Sequence, residues 1–259
     1  PLAGHSTAGQ QRPDGRRCAD GTGEREVGVA EPDFLVVVEQ GAERFAARLE
    51  QLDLQARVPS CPGWTVFDLA DHIGGIHQWA AHAIVHKSPD GQPTQAPKDR
   101  AGLVAWYQES AGSLLNVLQE TPENAEVWHF GPKPRLARFW QRRQAHEVTM
   151  HLHDLEMALG QTEPIDAVLA ADGIDEVRNV FFPRQVRLGR IPALERSLAV
   201  IVAETGDRHV FSGDGTEDAP AEVTVTAPAE VLLLALWHRI PADDERLTIE
   251  GDPEALARC

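Results

Sequence analysis

The chain has 259 residues, 42% hydrophobic and 25% charged, an ordinary globular mix with ample length for a buried core. Its formal net charge of −16 repels phosphate backbones and anionic membrane surfaces, which excludes nucleic acid and membrane as expected partners. The three cysteines, at positions 18, 61 and 259, have neither disulfide nor metal-site spacing and suit a reducing cytoplasm; Cys18 and Cys259 do not read as catalytic.

Residues 1–30 are rich in Gly, Arg, Asp and Ser and have no apolar central region, which predicts a disordered leader and not a secretory signal. The longest apolar run, VLLLALW at 231–237, falls short of the roughly 20 residues that cross a bilayer. A first helix is predicted over Pro32–Leu52, where Leu35, Val38, Ala42, Phe45 and Leu49 recur at spacings of three and four. ARVPSCPGW (56–64) breaks that pattern. A second helix follows from Trp64–Thr65 to His86, with Thr65 and Asp68 placed as a capping box. Gly74 and Gly75 lie inside it at a cost of about 1 kcal/mol each against Ala, which implies close approach of a neighbouring helix or a ligand. After a loop at 87–99, a third helix spans Arg100–Thr121; after another at 122–135, a fourth spans Leu136–Leu159 and ends at Gly160. Four long helices with Pro/Gly-rich connections make a bundle.

Beyond residue 163 the texture changes. One more helix is predicted at 165–182, strands at 197–204, 208–213 and 221–227, and a helix at 228–239. The expected fold class is therefore α+β: a helical bundle over 31–163 and a small α+β domain over 164–259.

The segment AHEVTMHLHDLEMALG (145–160) crowds histidines and carboxylates among apolar residues. Glu147 and His151, four apart, share one helix face, and Asp154 follows on it; His146 and His153 lie on a neighbouring face with Met150. A carboxylate and an imidazole so placed can both reach one metal ion. A third ligand has to come from another helix. His72 is preferred, since Asp68, Gly75 and Trp79 share its face; His77 points away from it. His72, Glu147 and His151 would make a His₂Glu set with an open position, the arrangement of a catalytic zinc, and Asp154 could orient a ligand from behind. Trp79, Trp128 and Trp140 are candidate pocket walls. Glu-x-x-x-His pairs are common on helices and single histidines are usually core residues, so spacing alone leaves the metal open.

VPSCPGWTVFDLADHIGGIH (58–77) and FWQRRQAHEVTMHLHDLEMALG (139–160) resemble the mycothiol-dependent maleylpyruvate isomerase family, within the wider DinB-like metal-binding four-helix bundles. AADGIDEV (170–177) and the stretch from LLLALWHRIP (232–241) onward are similar to its later blocks. The resemblance implies a DinB-like bundle followed by a sterol-carrier-like C-terminal domain. It places zinc, or another divalent metal, on His72, Glu147 and His151, and a catalytic arginine at Arg239. It implies as cofactor mycothiol, the small-molecule thiol of actinobacteria, and as substrate a small electrophilic or unsaturated acid. The implied chemistry is thiol-assisted cis–trans isomerisation or S-transfer. The loop HFGPKPR (129–135) departs from that of the isomerase itself, which puts an identical substrate pocket in doubt. A cytoplasmic monomer or homodimer is expected. A metal-dependent hydrolase without thiol and a non-catalytic metal-binding regulatory module stay open as alternatives.

Overall fold

The computed structural model describes residues 31–216 and 219–251; the expected leader, Cys18 and Cys259 lie outside the described residues. The fold is α+β, with a helical part followed by a four-stranded sheet and its helices.

The helical part holds α1 (Phe34–Leu49), α2 (Val66–Val85), α3 (Arg100–Glu120) and α4 (Arg138–Leu159). The starts of α1, α2 and α3 are set by side chains that accept the first free backbone N–H groups. Asp33 accepts from Val36, Asp99 accepts from Gly102, and Thr65 with Asp68 forms the full capping box. α4 begins two residues later than expected because Leu136 is engaged in a β-bridge with Glu126. It ends at Gly160, which is left-handed at φ 69°. Phe45, Leu49, Leu69, Ile73, Leu103, Tyr107, Val148 and Leu155 fill the core between these helices. Gly74 is explained by packing: a Cβ there would lie 2.3 Å from the Trp106 ring of α3. Gly75 has only Pro93 near it, at 3.6 Å from such a Cβ.

The expected helix at 165–182 is longer and composite: α5 (Ala167–Glu176), a π-helical turn (Val177–Phe181) and α6 (Phe182–Arg187). Strands β1 (Leu194–Val202), β2 (Arg208–Gly213), β3 (Val223–Ala227) and β4 (Thr248–Gly251) pair in the order β2-β1-β3-β4, with β1 parallel to β3 and the other pairs antiparallel. β4 was not anticipated; its four residues are all exposed and carry no apolar alternation. α7 (Ala229–Leu236) stops short of the expected residue 239. His238 turns left-handed there at φ 58°. Its N–H and that of Arg239 bond back to the carbonyls of Ala235 and Leu234, a Schellman ending with histidine where glycine is usual. That turn aims Arg239 back at α4.

The two parts share buried surface. Met150 of α4 is buried among Leu169, Ile174, Val200, Leu232 and Leu233, and Phe34 and Val37 of α1 pack against the same cluster. No helix among the described residues is long and apolar enough to cross a membrane.

Candidate metal centre

α2 and α4 pack side by side, so a histidine from one meets a turn of the other. Glu147 Oε1 lies 3.3 Å from His72 Nε2 and 3.4 Å from His151 Nε2. The three donor atoms all fall within 4.8 Å of one another. A tetrahedral zinc with N and O donors requires them about 3.3–3.5 Å apart, and the two spacings to Glu147 Oε1 match that distance. Trp64, from the loop before α2, closes one side, its ring 4.9 Å from His72 and 6.4 Å from His151.

A second layer fixes these groups. Glu147 Oε2 accepts from the Arg143 guanidinium at 2.8 Å, which leaves Oε1 for the histidines. Arg143 is buried and also pairs with buried Glu176 at the end of α5, while the Phe181 ring covers its Cζ at 4.8 Å. Burial raises the Glu147 carboxyl pKa, but Arg143 and the two histidines outweigh that and hold it well below the carboxylate range. His151 Nδ1 donates to Asp154 Oδ2 at 2.9 Å, so Nε2 carries the lone pair that a metal would take. Without metal, burial lowers the His151 pKa, and its bonds to Asp154 and Glu147 more than reverse this, raising it to about 9. Asp154, fully buried, accepts from Arg239 Nε at 3.0 Å and Nη2 at 2.7 Å, and from the Ser60 hydroxyl at 2.6 Å. Those bonds overcome its burial and keep it ionised. Cys61 Sγ lies 3.5 Å from Asp154 Oδ2, and burial followed by that carboxylate push its thiol up to about 11. Cys61, His151 and Asp154 also form a possible donor group. The Arg239 guanidinium already supplies a cation to its Asp154, which favours the set built on His72.

The structure thus brings together His72, Glu147, His151, Asp154 and Arg239, with Arg239 reaching His151 through Asp154. Trp79 lines a cavity of about 450 Å³ that also touches His72. Trp140 does not: it is fully buried, its indole N–H donates to the Trp128 carbonyl at 2.7 Å, and it serves the core. Trp128 packs edge-on against Trp79 at 5.6 Å. His77 bonds Gln144 and takes no part in the cluster. Sequence reading missed Arg143, Glu176, Ser60, Cys61 and Trp64. Arg143 had a local signal, four residues before Glu147 on the same face; the others arrive by tertiary folding.

Two family models match the chain in order. The mycothiol maleylpyruvate isomerase N-terminal domain covers residues 38–156, and the C-terminal domain of the same family covers residues 168–258. A search of curated proteins finds no match. Among solved structures, a histidine-to-alanine mutant of the mycothiol-dependent maleylpyruvate isomerase has a TM-score of 0.62 at 15% identity, over 85% of this chain and 92% of that one. A second structure of that isomerase has a TM-score of 0.58 at 16% identity, with the same coverage. At such identity the likeness speaks to the fold, and the fold and the domain matches agree: the chain belongs to the mycothiol-dependent maleylpyruvate isomerase family.

Proposed function

We propose that this protein is a zinc-dependent enzyme that takes mycothiol as a thiolate and uses it on a small electrophilic or unsaturated acid, by thiol-assisted cis–trans isomerisation or by S-transfer. The observation that carries the reading is the convergence of His72 Nε2, Glu147 Oε1 and His151 Nε2 within 4.8 Å, with both histidine spacings to Glu147 at the distance that two zinc ligands take. Membership of the isomerase family supports it. Bound there with one position open, zinc would lower the pKa of a thiol from about 8.5 and hold it as the nucleophile.

The chain's own groups supply the rest. Asp154 fixes the tautomer of His151. Arg143 fixes which oxygen of Glu147 faces the histidines. Arg239 spends three of its five N–H donors, on Asp154 and the Trp237 carbonyl. The remaining two, on the Nη1–Nη2 edge, can take a substrate carboxylate as a fork. In the isomerase form, the thiolate would supply a nucleophile that adds reversibly to the conjugated C=C, which allows rotation about the former double bond and return of the alkene in the trans form. The negative charge that builds on the conjugated carbonyl during addition is what a neighbouring guanidinium stabilises. In the S-transfer form the C–S bond would stay: in substitution the electrophile's leaving group departs with its bonding pair, and in addition to C=C the carbanion formed takes up a proton.

Elemental analysis of the purified chain tests the centre first, with about one zinc per chain expected and His151→Ala losing it. Full metal retained in each of His72→Ala, Glu147→Ala and His151→Ala would place the metal elsewhere. Incubation with mycothiol and a panel of cis-alkene acids and alkylating electrophiles, followed by mass spectrometry, then reads the chemistry. Zinc without thiol affinity would point to the hydrolase, and absence of metal to the regulatory module.

A further inference from the structure

The cavity of about 450 Å³ beside His72 has a chemistry of its own. Its size lies within the ~300–1,000 Å³ usual for small-ligand pockets. Asp71, Gly75, Trp79, Thr94 and Gln95 form much of its wall. Trp79 is held at a fixed tilt: its indole N–H donates to the Pro89 carbonyl at 2.8 Å, and the Trp128 and Trp140 rings abut it edge-on at 5.6 and 5.3 Å. It offers a rigid apolar plate. The side chains of Asp71 and Gln95 are exposed and form no hydrogen bond or ion pair among the described residues, so their oxygens and amide are available to a ligand. Gly75 keeps the wall between His72 and Trp79 low. Among the described residues no lysine or arginine lines the space, and a carboxylate does, so an anionic ligand is disfavoured.

An aromatic plate flanked by a carboxylate and an amide, with no cation, suits a neutral, hydroxyl-rich ring. The ring's C–H face packs on the indole and its hydroxyls bond to Asp71 and Gln95. We propose that this cavity is a subsite for the sugar-like part of the thiol co-substrate. The inference rests on the thiol reading above. Mycothiol carries its acetylated cysteine on a glucosamine–inositol pair, and sulfur held at the metal centre places those rings next to His72.

Calorimetry on the zinc-loaded full chain tests this with three probes: mycothiol, N-acetylcysteine, and N-acetylglucosaminyl-inositol, the ring pair without sulfur. Mycothiol should bind at least about tenfold more tightly than N-acetylcysteine, and the ring pair should compete with it. Asp71→Ala and Gln95→Ala, both at exposed positions and so harmless to folding, should each weaken mycothiol about three- to tenfold and leave N-acetylcysteine unchanged. Equal affinity of the two thiols, or wild-type mycothiol affinity in both variants, overturns the subsite while the thiol reading survives. Binding of the ring pair that is weakened by the variants, with no binding of either thiol, upholds the subsite and overturns the thiol reading. No binding of any probe overturns both.

Discussion

Asp154 connects the candidate metal centre to the rest of the molecule, because one buried carboxylate serves His151 and Arg239 at once. That changes what an arginine substitution measures. Arg239→Ala removes the guanidinium edge proposed above for substrate, and it also strips a buried carboxylate of its cation, which costs about 3–5 kcal/mol for an uncompensated buried charge; the Ser60 and His151 bonds soften the loss. The variant should therefore melt lower as well as turn over more slowly. Adding Asp154→Asn removes the stranded charge and should restore much of the stability without restoring kcat/KM. Recovery of turnover in the double variant would show that Arg239 acts only as a structural partner. At this scale the sequence was half legible. The i,i+4 pair Glu147–His151 and the third residue Asp154 share a face by helical geometry alone. Glu176 and Ser60 reach the centre across 29 and 94 positions of chain, from Glu147 and Asp154 respectively, and no local pattern encodes such a meeting.

The elements carry two adjacent glycines with opposite reasons. Gly74 admits the Trp106 ring, so Gly74→Ala forces a clash at 2.3 Å and should cost about 1–3 kcal/mol in urea unfolding. Gly75→Ala meets only Pro93 at 3.6 Å and should gain up to about 1 kcal/mol from helix propensity. Changes of the same sign at both positions would contradict this account of the packing. The four bundle helices were legible because each pairs a 3.6-residue apolar pattern with a capping side chain or a glycine stop. β4 was not, since Thr248–Gly251 is exposed throughout and exists only by pairing with β3. The end of α7 was not either, since a left-handed histidine leaves no glycine to read.

Across the whole molecule, the bundle and the second part are not separable at low cost. A chain cut after residue 163 would bare Phe34, Val37 and Met150 and free Asp154 and Arg143 from Arg239 and Glu176. It should aggregate or melt well below the intact protein, and bind zinc about 10–100-fold more weakly for want of the outer partners of its ligands. Intact zinc affinity and an unchanged melting temperature would show the bundle to be self-sufficient. Acid sensitivity is also a property of the whole core. Burial lowers His77 and His129 to about 4, against 6.5 in the unfolded chain. Depressed histidines favour the folded state while neutral, so their contribution is complete above pH 6.5 and lost as pH falls from there towards 4. The slope is about 1.4 kcal/mol per pH unit for each such histidine. Urea midpoints at pH 7.5 and pH 5 should differ accordingly, and His77→Gln should flatten the difference.

The π-helical turn at Val177–Phe181 makes chain length a chemical variable. In an α-helix, residues five apart point about 140° away from each other; the wider turn stacks them, so Glu176 and Phe181 both close on Arg143. Deleting a single residue there would swing one of them aside and loosen the guanidinium that selects an oxygen of Glu147. An insertion or deletion in this stretch acts as if it were a point substitution beside Glu147, although it lies on another helix and on no wall of the site.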